Sequence, residues 1–269
     1  MQVTTKLIPA TQKRKSYISS IIHDSWIMAG RAFAKTRHNP EQLFDVVGMP
    51  IFFMVLFTYI FGGAIAGNFK TYLVTIVPGI LIQTLINASS GTGVQLREDM
   101  ETGVFDRFRS LPIARISPFA GLLIADILRY AIAAVVSVIT GLALGWRPTA
   151  GYSWLFAGIL LVIFATWALS WIFAMVGLLI KSAATISGIS MPLTMGLTFL
   201  SSAFVPISSL PKWLQHFANA NPITFLINAF KEMVNHGTFG HDAFMVILIS
   251  LAIVVVMAPL TILVYNKKA

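Results

Sequence analysis

The chain has 269 residues, of which 57% are hydrophobic and only 11% charged; a soluble chain carries roughly a quarter charged residues. Nineteen Lys and Arg against ten Asp and Glu give a net charge of +9, and there is no cysteine. These figures exclude a water-soluble enzyme, a disordered chain, disulfide or thiolate chemistry and zinc–sulfur sites.

What remains is an all-α integral membrane protein forming one transmembrane domain over residues 1–269. Residues 1–45 hold seven Lys and Arg and no uninterrupted apolar run, so no cleaved signal peptide is expected. Residues 16–38 carry the pattern of an amphipathic helix. Ile18, Ile21, Ile22, Trp26, Ala29 and Phe33 share one face, with His23, Asp24, Arg31 and Lys35 opposite and Arg37 at the edge. Such a helix lies in the membrane interface with its apolar face down, or else packs on a partner.

Six apolar runs follow: Leu43–Ala66, Tyr72–Val94, Phe119–Trp146, Tyr152–Ile180, Ser182–Val205 and Ala243–Tyr265. Each reaches the roughly 20 residues needed to cross about 30 Å of hydrocarbon. Pro50, Pro78, Pro192 and Pro259 inside them are tolerated in a bilayer when neighbouring helices satisfy the freed backbone groups. Loop by loop, fourteen Lys and Arg fall on one side and four on the other, which predicts both termini in the cytosol. The basic excess belongs to that face, and no nucleic acid partner is expected.

In the second span Gln83, Asn87 and Ser90 line up toward the cytosolic end. The loop 95–118 is the most charged stretch between spans, and within it Val104, Phe108 and Leu111 recur at i, i+4 and i+7 beside Phe105. The pattern predicts a short helix with an apolar ridge, flanked by Glu98, Glu101, Arg107 and Arg109 and ended before Pro112. An exposed Phe105/Phe108 pair fits a groove on a partner or packs on the chain's own N-terminal helix.

Within the third span Asp126 and Arg129 stand three residues apart. A pair so placed neutralises itself; it fits a structural role near the cytosolic interface or a part in gating. The fifth span carries Ser187, Ser190, Thr194, Thr198 and Ser201 at helical spacing. Such hydroxyl stripes allow helices to approach closely, and they also suit a path for amphipathic cargo.

The loop 206–242 reads as two short apolar helices, with Trp213 and Phe217 in the first and Phe230 in the second. Asn221 and Pro222 form a helix start and Gly237 a stop. Too short to cross and too apolar for water, the pieces predict a hairpin re-entering the outer leaflet, or two interfacial helices.

No G-x-x-x-x-G-K-[ST] or H-E-x-x-H occurs, and the five histidines are dispersed, so no catalytic residue, metal or cofactor is expected on this chain. An ion-coupled carrier acting alone would keep ionisable groups near mid-membrane; their scarcity favours an energy source outside the chain.

The segment from Leu96 to Arg115 resembles the first cytosolic loop of type-2 ABC exporter permeases, in the daunorubicin-resistance-type drug permease branch. Ala125-Asp126 through Arg129, Gly145-Trp146-Arg147-Pro148, Val205-Pro206 and Asn221-Pro222-Ile223-Thr224 follow in the same order. The resemblance implies six spans with both termini cytosolic in a bacterial inner membrane, and a permease dimer, here a homodimer. It implies two separate ABC ATPase subunits that hold the ATP and Mg and do the hydrolysis. Residues 16–38 would be the connecting helix, and the 95–118 loop would hold the coupling helix. Glu98, Glu101, Val104, Phe105, Arg107, Phe108 and Arg109 would then dock on the ATPase. The outer gate would be Pro206–Gly237, with the second and fifth spans toward the dimer axis. The implied cargo is an amphipathic or hydrophobic drug or antibiotic; the same machinery also exports lipid-linked saccharides.

Overall fold

Helices account for all the regular structure among the described residues. The computed structural model describes the backbone of residues 17–66, 69–109, 113, 116–204, 207 and 210–268. Side chains are described for the same residues except 17–21, 41, 64–66, 69, 70, 105, 106 and 109. In chain order the elements are α1 (Tyr17–His38), α2 (Pro40–Leu43), a π-helical turn (Phe44–Gly48), α3 (Met49–Ala66), α4 (Phe69–Glu101) and α5 (Val104–Arg109). They continue as α6 (Ser117–Ala143), α7 (Tyr152–Leu179), α8 (Ala183–Phe199), α9 (Lys212–Ala220), α10 (Pro222–His236) and α11 (His241–Lys268).

Among the described residues five segments are long and apolar enough to cross a membrane: Phe44–Gly63, Thr71–Glu101, Ser117–Ala143, Tyr152–Leu179 and His241–Lys268. The fifth predicted run differs. Its helix, α8, has 17 residues and stops at Phe199, a length of about 26 Å at 1.5 Å per residue. The chain then leaves the helix in a buried turn, Ser201 to Phe204. Tyr72 donates to the Phe204 carbonyl at 3.4 Å, and the Phe204 ring stacks between Phe57 and Phe199 at 5.0 and 4.6 Å. Gly79 makes room for this turn, since a Cβ there would fall on the Ala203 carbonyl oxygen.

α4 is the centre of the bundle. Of its most apolar stretch 72% is buried, against 22% in the first segment and 17% in α11. It packs on α3, α6, α7 and α8. The crossing with α7 is backbone to backbone: a Cβ on Gly177 would stand 2.5 Å from the Gly93 carbonyl oxygen and 2.9 Å from its Cα. Only glycine allows so close an approach, which maximises dispersion between helices that hydrocarbon gives no hydrophobic reason to associate. The peripheral helices keep large apolar side chains outward, such as Phe52 and Tyr59 on α3 and Leu251 and Leu263 on α11.

α1 divides the apolar face that its sequence predicts. Ser25, Ala29, Ala32 and Thr36 are buried, one residue per turn, against α6. Gly121 of α6 admits this contact, for its Cβ would stand 2.5 Å from the Met28 Cβ and 2.8 Å from the Ala29 nitrogen. Ile22 and Trp26 remain 65% and 72% exposed on the adjoining face. Ile18 and Ile21 lie outside the described side chains.

Candidate functional site: the charged loop, the buried ion pair and helices α9 and α10

α4 continues as helix through the charged residues to Glu101, well past the predicted end at Val94, because no breaker intervenes before Gly103. That glycine has φ 67° and lets the chain reverse into α5. Charged side chains fasten this end of the molecule together. Lys35 Nζ lies 2.9 Å from Asp99 Oδ1 and 3.4 Å from Glu98 Oε2. Arg97 pairs with Glu101 at 3.1 Å, and Glu101 Oε1 also accepts from the backbone N–H of Ala183 at 3.2 Å. Glu98 and Glu101 therefore tie the loop to α1 and to the start of α8. Part-exposed pairs of this kind are worth about 0–1 kcal/mol each, enough to orient a loop without locking it.

Of the apolar ridge, Phe108 is half-buried and carries the Arg31 guanidinium of α1 over its ring at 4.7 Å. Val104 is half-buried and Arg107 exposed. The side chains of Phe105 and Arg109, and all of Leu111, lie outside the described residues.

Deeper in, Asp126 and Arg129 are 2% and 6% exposed, with Asp126 Oδ1 and Arg129 Nη2 2.7 Å apart. The other carboxylate oxygen accepts from Thr92 Oγ1 of α4 at 2.6 Å, and Arg129 donates to the Ala88 carbonyl, also of α4, at 2.7 Å. Both carboxylate oxygens of Asp126 are thus engaged. The geometry fastens α6 to α4. The sequence reading missed two members. Asp45, near the start of the first span, interacts electrostatically with Arg129; Thr92 has only its place one turn from Ala88 and one turn from Gln95 to mark it.

The hydroxyl stripe of the fifth run faces into the chain, and that of the second does so only in part. Ser190, Thr194, Thr198 and Ser201 are buried while Ser187 is exposed, and α8 packs on α4. Their protons go to their own helix: Thr194 donates to Ser190 O at 2.9 Å, Thr198 to Thr194 O at 2.8 Å and Ser201 to Thr198 O at 2.5 Å. On α4, Gln83 is buried and Asn87 exposed, and Ser90, half-buried, donates to Asn87 O at 2.7 Å. The outward face of α8 is apolar, with Ile189, Met191 and Leu193 exposed.

At the other end, Asn221 both starts α10 and holds it to α8. Its Oδ1 accepts from the N–H of Ile223 at 2.9 Å. Its Nδ2 donates to the carbonyls of Leu197 and Leu200 at 2.7 and 3.1 Å, acceptors left over at a helix end. Two further contacts, unforeseen from sequence, reinforce the joint. Lys231 Nζ donates to the Ser202 carbonyl at 2.9 Å, and Ser202 Oγ donates to Asn228 Oδ1, also at 2.9 Å. Burial lowers the Lys231 ammonium to about 8. α10 ends at Gly237, φ 66°, whose N–H bonds the Met233 carbonyl at 3.1 Å. Phe230 is fully buried against Gly158; Trp213, Phe217 and Pro222 are exposed. Val205 and Pro206 lie outside the described residues. Among the described residues no three His, Asp or Glu side chains converge as metal ligands would.

This helical chain, with its charged loop after α4 and the joined helices α8 and α10, matches the family model for ABC-2 type transporters over residues 23–234. The chain belongs to that family, whose members are membrane permeases of ABC transporters. It is 37% identical over 256 residues to the daunorubicin resistance ABC transporter permease protein DrrB1 of Streptomyces coeruleorubidus, covering 95% of this chain and 89% of that one. Identity is 29% over 221 residues with the doxorubicin resistance ABC transporter permease protein DrrB of Mycobacterium tuberculosis, covering 79% and 76%. With the inner membrane transport permease YadH of Escherichia coli it is 24% over 223 residues, covering 78% and 84%.

Proposed function

We propose that the chain is the membrane subunit of an ATP-driven exporter that moves a drug, or another amphipathic and largely apolar compound, out of a bacterial cell. The observation that carries this reading is the 37% identity to a daunorubicin resistance permease along 95% of the chain. In the proposed assembly two copies of the chain pair with two ABC ATPase subunits. ATP and Mg stay on those partners, and both termini of the permease are cytosolic, as the asymmetry of Lys and Arg favours. α8, extended by the turn at 200–204, completes a sixth crossing, and α9 and α10 form a re-entrant cap in the outer leaflet.

The fastenings described above give this assembly a way to work. ATP-driven closure of the partners displaces α5 and, through the Gly103 reversal, the end of α4. Thr92 and Ala88 carry that displacement to α6 through the ion pair, and Gly93 carries it to α7. The joint between α10 and α8 is the place where the outer side must loosen for cargo to leave. Two arrangements of these packed helices, biased by nucleotide on the partner, make the switch.

The docking part of this reading is tested by Phe105→Asp together with Phe108→Asp in a chain co-expressed with its ATPase. The variant is expected to reach the membrane and melt near the wild type while the ATPase no longer co-purifies. Undiminished co-purification would remove α5 from the contact.

A further inference from the structure

α4, α7, α8, α10 and α11 enclose a half-open cavity of about 100 Å³. Ile86 of α4, Ala165 and Phe173 of α7, Thr194 of α8, Leu226 of α10 and Ile253 of α11 contribute to its lining. The lining is almost wholly apolar, and the Thr194 hydroxyl already donates within its own helix. Ser250 is the other hydroxyl in the lining; a buried water needs two to four polar partners, so a lining this apolar favours hydrocarbon over water. α8 and α11 flank it without forming a packed pair, and Ile249 and Ile253 at its rim are only half-buried. The space therefore opens sideways, between helices whose outer surfaces are apolar, toward bilayer hydrocarbon.

Size decides what can enter. Sites for drug-sized molecules occupy about 300–1,000 Å³, so the cavity cannot hold such a cargo whole. An apolar cavity of about 150 Å³ accepts a molecule the size of benzene; this one takes a few methylenes. Left empty, its lining would forfeit dispersion contacts that a chain end would restore.

We propose that the cavity binds the terminal methylenes of one phospholipid acyl chain, drawn from the leaflet on the α10 side. The lining places that chain end between Pro222, Ile223 and Leu226 of α10 and Leu197 of α8, beside the Asn221 bonds that join the same two helices. A bound lipid thereby becomes part of the packing that holds the cap on α8. The site does not depend on the identity of the cargo or on which face of the membrane α10 occupies.

The test uses the full chain in nanodiscs containing phosphatidylcholine with a photoreactive diazirine, either at the chain end or next to the ester. The chain-end probe is expected to label residues 165–173 and 246–253, and the ester-proximal probe to leave them unlabelled. Ala165→Phe, which projects a ring into the cavity from α7, is expected to abolish that labelling and to spare labelling around Leu263, which is exposed on α11. Ile253→Trp fills the same space from the rim and serves if Ala165→Phe does not fold. Equal labelling of wild type and filled variants would overturn the proposal, as would loss of labelling on adding excess doxorubicin, which would assign the cavity to cargo.

Discussion

Asp126→Ala strands a buried guanidinium. Arg129 would keep its bond to the Ala88 carbonyl but lose the carboxylate 2.7 Å away. With charge centres about 4 Å apart and an effective dielectric near 20, that attraction is worth about 4 kcal/mol. Breaking one partner of a buried pair costs about 3–5 kcal/mol. On the scaling for folded domains of comparable length this lowers the melting temperature by roughly 10 °C. The informative comparison is the double variant Asp126→Leu with Arg129→Met, which removes both charges and keeps the volume filled. Replacing a whole buried pair is often neutral or stabilising, so it is expected to melt at or above the wild type and to retain export if the pair is a fastener. Thermal melting in detergent with fixed added lipid reads both. An Asp126→Ala chain that melts with the wild type, or a double variant as unstable as the single, would refute the reasoning.

Gly177→Ala forces apart α4 and α7, because the added Cβ would stand 2.5 Å from the Gly93 carbonyl oxygen; a loss of about 1–3 kcal/mol is expected in the same melting assay. Asn221→Asp preserves the acceptor that caps α10 but cannot donate to Leu197 and Leu200, whereas Asn221→Ala loses both functions. Dye leakage from proteoliposomes should rise for both, and stability should fall by a further ~1 kcal/mol only for alanine. Lys231 is held near 8 in the folded chain by burial, below its ordinary value near 10.5 in the unfolded chain. Between those values the unfolded state binds more protons, so stability rises with pH. Melting from pH 7 to 10 should therefore show a rise in the wild type that Lys231→Met lacks.

Long apolar runs bounded by turn residues are a strong signal, and the predicted and observed limits of α7 differ by one residue. The start of α10 was equally legible, because Asn followed by Pro satisfies a helix end from within the chain. Other features depend on neighbours that no local pattern names. The stripe on α8 has the right period, yet periodicity tells which residues share a face and not which helix that face meets. On α1, Ser25 and Thr36 weigh little on a hydrophobicity scale, but they are buried on the small-residue face that lies against α6, where Met28 and Ala29 meet Gly121. The ammonium of Lys231 finds a carbonyl 29 positions away, and Asp45 acts on an arginine two apolar segments later. α8 stops early because Phe204 and Ala203 are drawn inward by Tyr72, Phe57 and Gly79, contacts distant in sequence.

The central claim, that this chain moves a drug only when an ATPase drives it, is tested most directly in inverted membrane vesicles with a fluorescent anthracycline such as doxorubicin. Vesicles holding the chain with its ATPase should accumulate the compound on addition of ATP and Mg, and vesicles holding the chain alone should not. Accumulation by the chain alone, driven by a proton gradient and indifferent to ATP, would contradict the account.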